Sequence, residues 1–156
     1  MRSHNNTGRS SGTFKNRKRQ KINDPFVPYS YSMLQSPAFK ALNNTDRKVL
    51  HRLEIEHLSH GGAENGNLIC TYQDFVDYGV RRNSIHASLS RLEILGFIEI
   101  VERGRQARAE FRFPSRYRLT YVIGDTPTTN EWERFKDEAS VERAIKAADK
   151  TNCRRR

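Results

Sequence analysis

From Thr71 to Arg103 the apolar residues change their spacing twice, and few folds accommodate that order. Thr71 and Asp74 form a Thr-x-x-Asp start, in which hydroxyl and carboxylate each accept from backbone N–H groups that a helix leaves unpaired. Gly79, eight residues after Thr71, predicts a left-handed stop. A second helix is predicted over 82–95, with Ile85, Leu89, Leu92 and Leu95 at steps of four, three and three along one buried face. After Gly96 the step becomes two: Ile98 and Ile100 oppose Glu99 and Val101, and Tyr117, Leu119 and Tyr121 alternate with Arg116, Arg118 and Thr120. Short helix, tight turn, longer helix and then a hairpin is the predicted order, with a polar connection around Gly104.

The flanks are plainer. Residues 1–28 have the composition of a disordered basic arm, with Lys15, Arg17, Lys18 and Arg19 at its centre and Pro25 and Pro28 at its end. Such a stretch is either a solubilising tail or an arm that follows a phosphate backbone or enters a minor groove, and the second reading is preferred. A domain is expected over 29–125. It opens with a short helix in SPAFKALNN and continues with a second, capped by Thr45, that buries Val49, Leu50, Leu53 and Leu58. A short strand is expected at Leu68 to Cys70. In the last segment, 126–156, Trp132, Phe135 and Ala139 share one side of a helix, whereas Val141, Ala144, Ile145 and Ala148 lie nearly opposite. Either the helix breaks near Ser140, or it has two buried faces, the second suited to another subunit of a homodimer.

Charge narrows the partners. The chain of 156 residues carries a formal net charge of +10, of which +6 falls in residues 1–31. Within the domain, residues 81–118 hold nine arginines against four glutamates, so one half is locally basic. Nucleic acid is the first polyanion to consider. Two cysteines, Cys70 and Cys153, lie far apart in no ligand-like spacing. With no apolar run near the ~20 residues of a membrane span and no secretory apolar core, a cytoplasmic, nucleoid-associated protein without membrane contact is expected. No metal and no cofactor are expected either. Glu54, His57 and His60 have helical spacing but lack a fourth ligand, so they read as polar groups at a helix end. Tyr72, Phe75 and Tyr78 read as core rather than as a base-stacking platform.

The order NGNLICTYQDFVDYGVRRNSIHASLSRLEILGFIEI, preceded by SPAFKAL and DRKVLHRLEIEH, resembles the winged helix-turn-helix family, in particular small bacterial members and the amino-terminal domains of plasmid and phage replication initiators. The resemblance covers about residues 29–121. It implies an α+β winged-helix fold in which helix 82–95 enters the major groove of double-stranded DNA. At 100° per residue the outward positions are Asn83, Ala87, Ser90 and Arg91, flanked by Ser84 and His86. Asn pairs with adenine, Arg with guanine, and small residues permit close approach. Arg81 and Arg82 stand where the family usually has a Ser or Thr cap. Either Asn83 caps a shorter helix, or a phosphate bonded to the N-terminal N–H groups and Arg81 takes the place of the cap. Arg103, Arg105 and Arg108 would form the wing tip, suited to the adjacent minor groove or its phosphates. Lys48 and Arg47 are backbone-contact candidates or simply a solvated helix face.

The expected function is sequence-specific DNA binding without chemistry, most simply regulation of transcription. Control or initiation of plasmid replication, or architectural excision of a mobile element, are the near alternatives. A winged-helix protein-interaction module is the rival of another class. An enzyme would need converging carboxylates or a nucleophile with its base, whereas the acids here are scattered.

Overall fold

The computed structural model describes residues 22–108, 111–124 and 127–153; the side chains of residues 106–108, 111–112 and 149–153 are outside the description. The central arm residues Lys15, Arg17, Lys18 and Arg19 lie outside it as well. The elements follow in the order α1 (Tyr31–Gln35), α2 (Pro37–Lys40), α3 (Asn44–Ser59), β1 (Leu68–Ile69), α4 (Tyr72–Asp77), α5 (Arg82–Ile94), β2 (Ile98–Glu102), β3 (Arg105–Arg108), β4 (Phe111–Phe113), β5 (Arg116–Leu119), a 3-10 turn (Glu131–Arg134) and α6 (Glu138–Cys153). It is a mixed α+β fold. No helix among the described residues is long and apolar enough to cross a membrane.

The helix starts follow local hydrogen-bonding chemistry. Thr71 and Asp74 form the expected reciprocal box: Asp74 N–H donates to the Thr71 hydroxyl and Thr71 N–H to the Asp74 carboxylate at 2.6 Å. The same box opens α3, but its cap is Asn43 rather than Thr45. Asn43-x-x-Asp46 offers a carbonyl and a carboxylate at the required spacing, which leaves Thr45 inside the first turn. A short helix precedes α2 that the apolar pattern did not predict. Ser30 caps α1 and Ser36 caps α2, each accepting from a backbone N–H three residues on at 3.1 Å. Gly79 and Gly96 take positive φ, +84° and +77°, ending α4 and α5 where L-residues would be strained.

The core is assembled around α5. Ile85, Leu89, Leu92 and Leu95 bury its predicted face against Val49, Leu50 and Leu53 of α3, Phe75 of α4, and Phe97 and Ile98 at the entry to β2. Phe39–Phe97 and Phe75–Tyr117 meet edge-to-face at 5.9 and 6.3 Å. Each large side chain fully withdrawn from water contributes roughly 1.5–3 kcal/mol, so this cluster fixes which side of α5 faces inward.

Two antiparallel ladders follow. Strands β1, β5 and β2 form a sheet in that order, with Ile98 opposite Leu119 and Ile100 opposite Tyr117, and a bulge before Glu102. Beyond it β3 and β4 pair separately, Arg105 opposite Phe113. The connection expected to be a plain polar loop is thus a second ribbon. The two ladders meet at a kink where Gly104 N–H donates to Ser115 Oγ at 2.8 Å.

The C-terminal segment takes the first of the two expected forms. Trp132 and Phe135 lie on the 3-10 turn and its end, and α6 begins afterwards with Asp137 accepting from Ser140 N–H at 2.7 Å. Because the chain breaks there, Trp132, Phe135 and Val141 all reach one core. The apolar pattern therefore needs no second subunit to explain it.

Candidate functional site

Three elements converge on one surface: α4, the outward side of α5 and the base of the β3–β4 ribbon. The register of α5 decides what it shows. With Ile85, Ser88, Leu89 and Leu92 buried, the rotation of 100° per residue turns Arg82, Asn83, His86 and Ala87 outward, and all four are exposed. Arg81, the residue before the helix, is exposed as well. Ser84 is half-buried at one edge of the stripe, and Ser90, which continues the stripe one turn beyond His86, is half-buried as well.

Arg91 corrects the expectation that it projects into a duplex. Its Nη1 donates to both oxygens of Asp46, at 3.2 and 3.0 Å, and Asp46 is fully buried. The reason is its angle on the helix, which carries Arg91 to the edge that leans on the start of α3. A carboxylate without solvent there requires a cation. Arg91 is thus a strut between α5 and α3. Arg47 and Lys48 are engaged in a similar way: Arg47 bonds the carbonyls of Leu42 and Phe39 and covers the Phe39 ring, and Lys48 Nζ donates to Gly79 O at 3.4 Å.

The start of α5 differs from the other helix starts. Arg81 has extended backbone angles (φ −66°, ψ 131°) and supplies no side-chain cap. Asn83 does not replace it, since it lies within the helix and its Oδ1 accepts from Ser84 Oγ at 3.3 Å. Nor does an acidic residue occupy the first turn. The Ser84 N–H bonds the Arg81 carbonyl at 2.9 Å, and the positive end of the helix dipole lies beside two exposed arginines.

The arginines of the basic half divide into two sets. Arg118 pairs with Glu99 at 2.8 Å, Arg116 with Glu102 at 3.5 Å and Arg103 with Glu93 at 2.7 Å. Arg81, Arg82 and Arg105 have no carboxylate within ion-pair distance among the described residues. Arg82 instead reaches Gln73 Oε1 at 3.5 Å, and Arg105 lies over the Phe113 ring at 5.3 Å. The expected tip trio is therefore split: Arg103 is tied at the ribbon base to α5, Arg105 is exposed, and the Arg108 side chain lies outside the description. The Arg103–Glu93 pair is mostly exposed, the sort of bond worth at most ~1 kcal/mol and readily exchanged for another anion.

Between α5 and the ribbon runs a groove of about 840 Å³. Arg82, His86 and Arg103 stand on its rim, while Leu89, Ile100 and Tyr117 form an apolar floor. Of the α4 aromatics expected in the core only Phe75 is fully buried. Tyr72 is half-buried and faces this groove; burial raises its pKa, and the charges of Arg103 and Arg82 pull it down again. Sequence reasoning missed Tyr72, Gln73 and Phe113 as surface residues here. The signal available was the aromatic at the first position after a capping box, which projects from the helix start.

Two glutamates of the His/Glu cluster on α3 are engaged within the fold. Glu54 is buried and accepts from Tyr29 at 2.5 Å and from Tyr121 on the same oxygen. Burial raises the Glu54 pKa, and the two tyrosine hydrogen bonds oppose that shift. His60 contacts Glu56 at 3.3 Å, and burial lowers the pKa of His57. Among the described residues no group of three or more His, Cys, Asp or Glu side chains is placed to hold a metal ion. Compared with protein-family models, with curated proteins and with solved structures, the chain matches none.

Proposed function

We propose that this chain is a winged helix-turn-helix protein that binds double-stranded DNA with sequence preference and acts as a regulator of transcription. The observation that carries the reading is the division of α5. Its inner face is wholly buried, and its outer face presents Arg82, Asn83, His86 and Ala87 as one uninterrupted exposed stripe. A helix so anchored can enter a major groove, about 12 Å wide, with Asn83 and Arg82 at base edges and Ala87 allowing close approach.

Three further features favour the same reading. The open N-terminus of α5 beside Arg81 is a ready anion site, as a phosphate requires. Arg105, on a ribbon projecting beyond the sheet, has no carboxylate partner among the described residues. The three-stranded order β1-β5-β2 packed against α3 and α5 is compatible with a winged helix. The basic arm would then follow the adjacent backbone.

The test is selection of bound fragments from random duplex DNA at low and raised salt. Enrichment of one motif that persists as salt rises supports base reading. Enrichment without a motif, vanishing with salt, would reduce the protein to a phosphate binder.

A further inference from the structure

The groove beside α5 has a composition that contact with a duplex does not account for. Its rim carries two guanidiniums, Arg82 from α5 and Arg103 from the ribbon base, whose charges both act on Tyr72, and His86 also lines it. Its floor is apolar, formed by Leu89, Ile100 and Tyr117, and Phe113 and Pro114 make one wall. No Asp or Glu is found among the described residues that line it. A sugar–phosphate backbone would satisfy the rim and leave the floor in contact with water. A flat apolar body carrying an anionic group would satisfy both, its ring on the floor and its anion beside the guanidiniums. The volume of about 840 Å³ falls within the roughly 300–1,000 Å³ of small-molecule sites.

We propose that this groove is a binding site for a small planar aromatic anion, a ring bearing a carboxylate or a phosphate, whose occupancy withdraws Arg82 and Arg103 from DNA. The second half of the statement rests on the DNA-binding reading above; the first does not. Exchange of the exposed Arg103–Glu93 pair for Arg103–ligand contact provides the entry step at little cost. A ligand seated there lies against His86 of the outward stripe and against Ser90 one turn on, so a duplex and the ligand cannot both use that edge of α5.

Calorimetric titration of the full chain with 2-naphthoate and with thymidine 5′-monophosphate, in separate runs, distinguishes a carboxylate ligand from a phosphate one. Neutral 2-naphthylmethanol and inorganic phosphate alone serve as controls. Saturable binding of at least one aromatic anion, about tenfold tighter than either control, is expected, with loss of about tenfold in Arg103→Gln and no change in Lys146→Gln. Circular dichroism verifies that each variant is folded. Absence of saturable binding at millimolar probe, or equal binding of the neutral probe, would overturn the site.

Duplex binding is then measured with and without saturating probe. An affinity reduced about tenfold or more supports competition, and an unchanged affinity would overturn it while leaving the site. If no duplex binds even without probe, the DNA-binding reading fails, and the ligand site stands or falls on the titration alone.

Discussion

The helices α4 and α5, joined by the turn at Gly79, begin in opposite ways. The first turn of α4 is closed on itself: the Thr71 hydroxyl and backbone both bond Asp74, and these bonds hold the Asp74 carboxyl below its ordinary pKa. The first turn of α5 carries no side-chain cap, no acid and two exposed arginines. A missing cap costs typically about 1 kcal/mol, so the supporting helix is optimised for stability and the exposed one is not. The same contrast recurs among the arginines, where Arg91 is spent on a buried strut and Arg82 is left facing outward. Arg91, which ties α5 to α3, is paired with a carboxylate, whereas Arg81 and Arg82 on the outer face have no carboxylate within ion-pair distance among the described residues.

Four variants test this account, and the largest effect should come from the strut. Asp46→Ala leaves the Arg91 guanidinium without its buried partner and removes half of the α3 capping box. A loss of about 3 kcal/mol of stability is expected, read from the midpoint of urea unfolding. A loss near zero would show that Arg91 is free to serve elsewhere. On the exposed face the effect should fall on binding instead. Arg82→Gln with Asn83→Ala should cost about 1–3 kcal/mol in discrimination between a selected duplex and a scrambled one, with an unchanged unfolding midpoint.

The contrast is sharpest at the cap itself. Arg81→Ser supplies the missing side-chain acceptor and should stabilise the fold by about 0.5–1 kcal/mol while weakening duplex binding and lowering the salt slope by about 1. A variant that is more stable and binds equally well would remove the argument that the open helix start is functional.

The smallest effect concerns pH. Burial raises the Glu54 pKa, so the folded state retains a proton that the unfolded chain releases above the ordinary value of 4.5. The stability this contributes is present below that pH and is lost as pH rises through the folded-state pKa. Glu54→Gln should flatten that part of the stability profile in urea titrations run at successive pH values. A profile identical to that of the unsubstituted chain would show that Tyr29 and Tyr121 fully compensate for the burial of the carboxylate.

Much of the unit was legible in the sequence because its signals are local. The Thr71 box, the stop at Gly79, the buried face of α5 and the strand step of two all involve residues within a few positions of one another, where backbone geometry alone dictates the outcome. The outward direction of Asn83 and Ala87 follows from the same periodicity. What could not be read depends on long-range contact. Asp46 lies 45 residues before Arg91 and Glu54 lies 67 before Tyr121, and no helical or strand period links them. Arg91 looked outward because its angle on the wheel sits at the border of the exposed stripe, and only the docking of α3 decides on which side of that border it falls. The β3–β4 ribbon escaped notice for a different reason. Strand pairing there continues from β2 and β5 across a kink, and its apolar alternation is confined to Phe111 and Phe113, too short a run to mark a separate ladder.

The proposed DNA-binding function requires the outer face of α5 to discriminate between DNA sequences. Its most direct measurement is the affinity ratio for a selected duplex over a scrambled duplex at fixed salt, for the unsubstituted chain and for the Arg82→Gln, Asn83→Ala variant. A large ratio that collapses toward unity in the variant, with general affinity mostly retained, is the predicted result. A ratio that the double substitution leaves intact would contradict the account, because the sequence would then be read by some other surface.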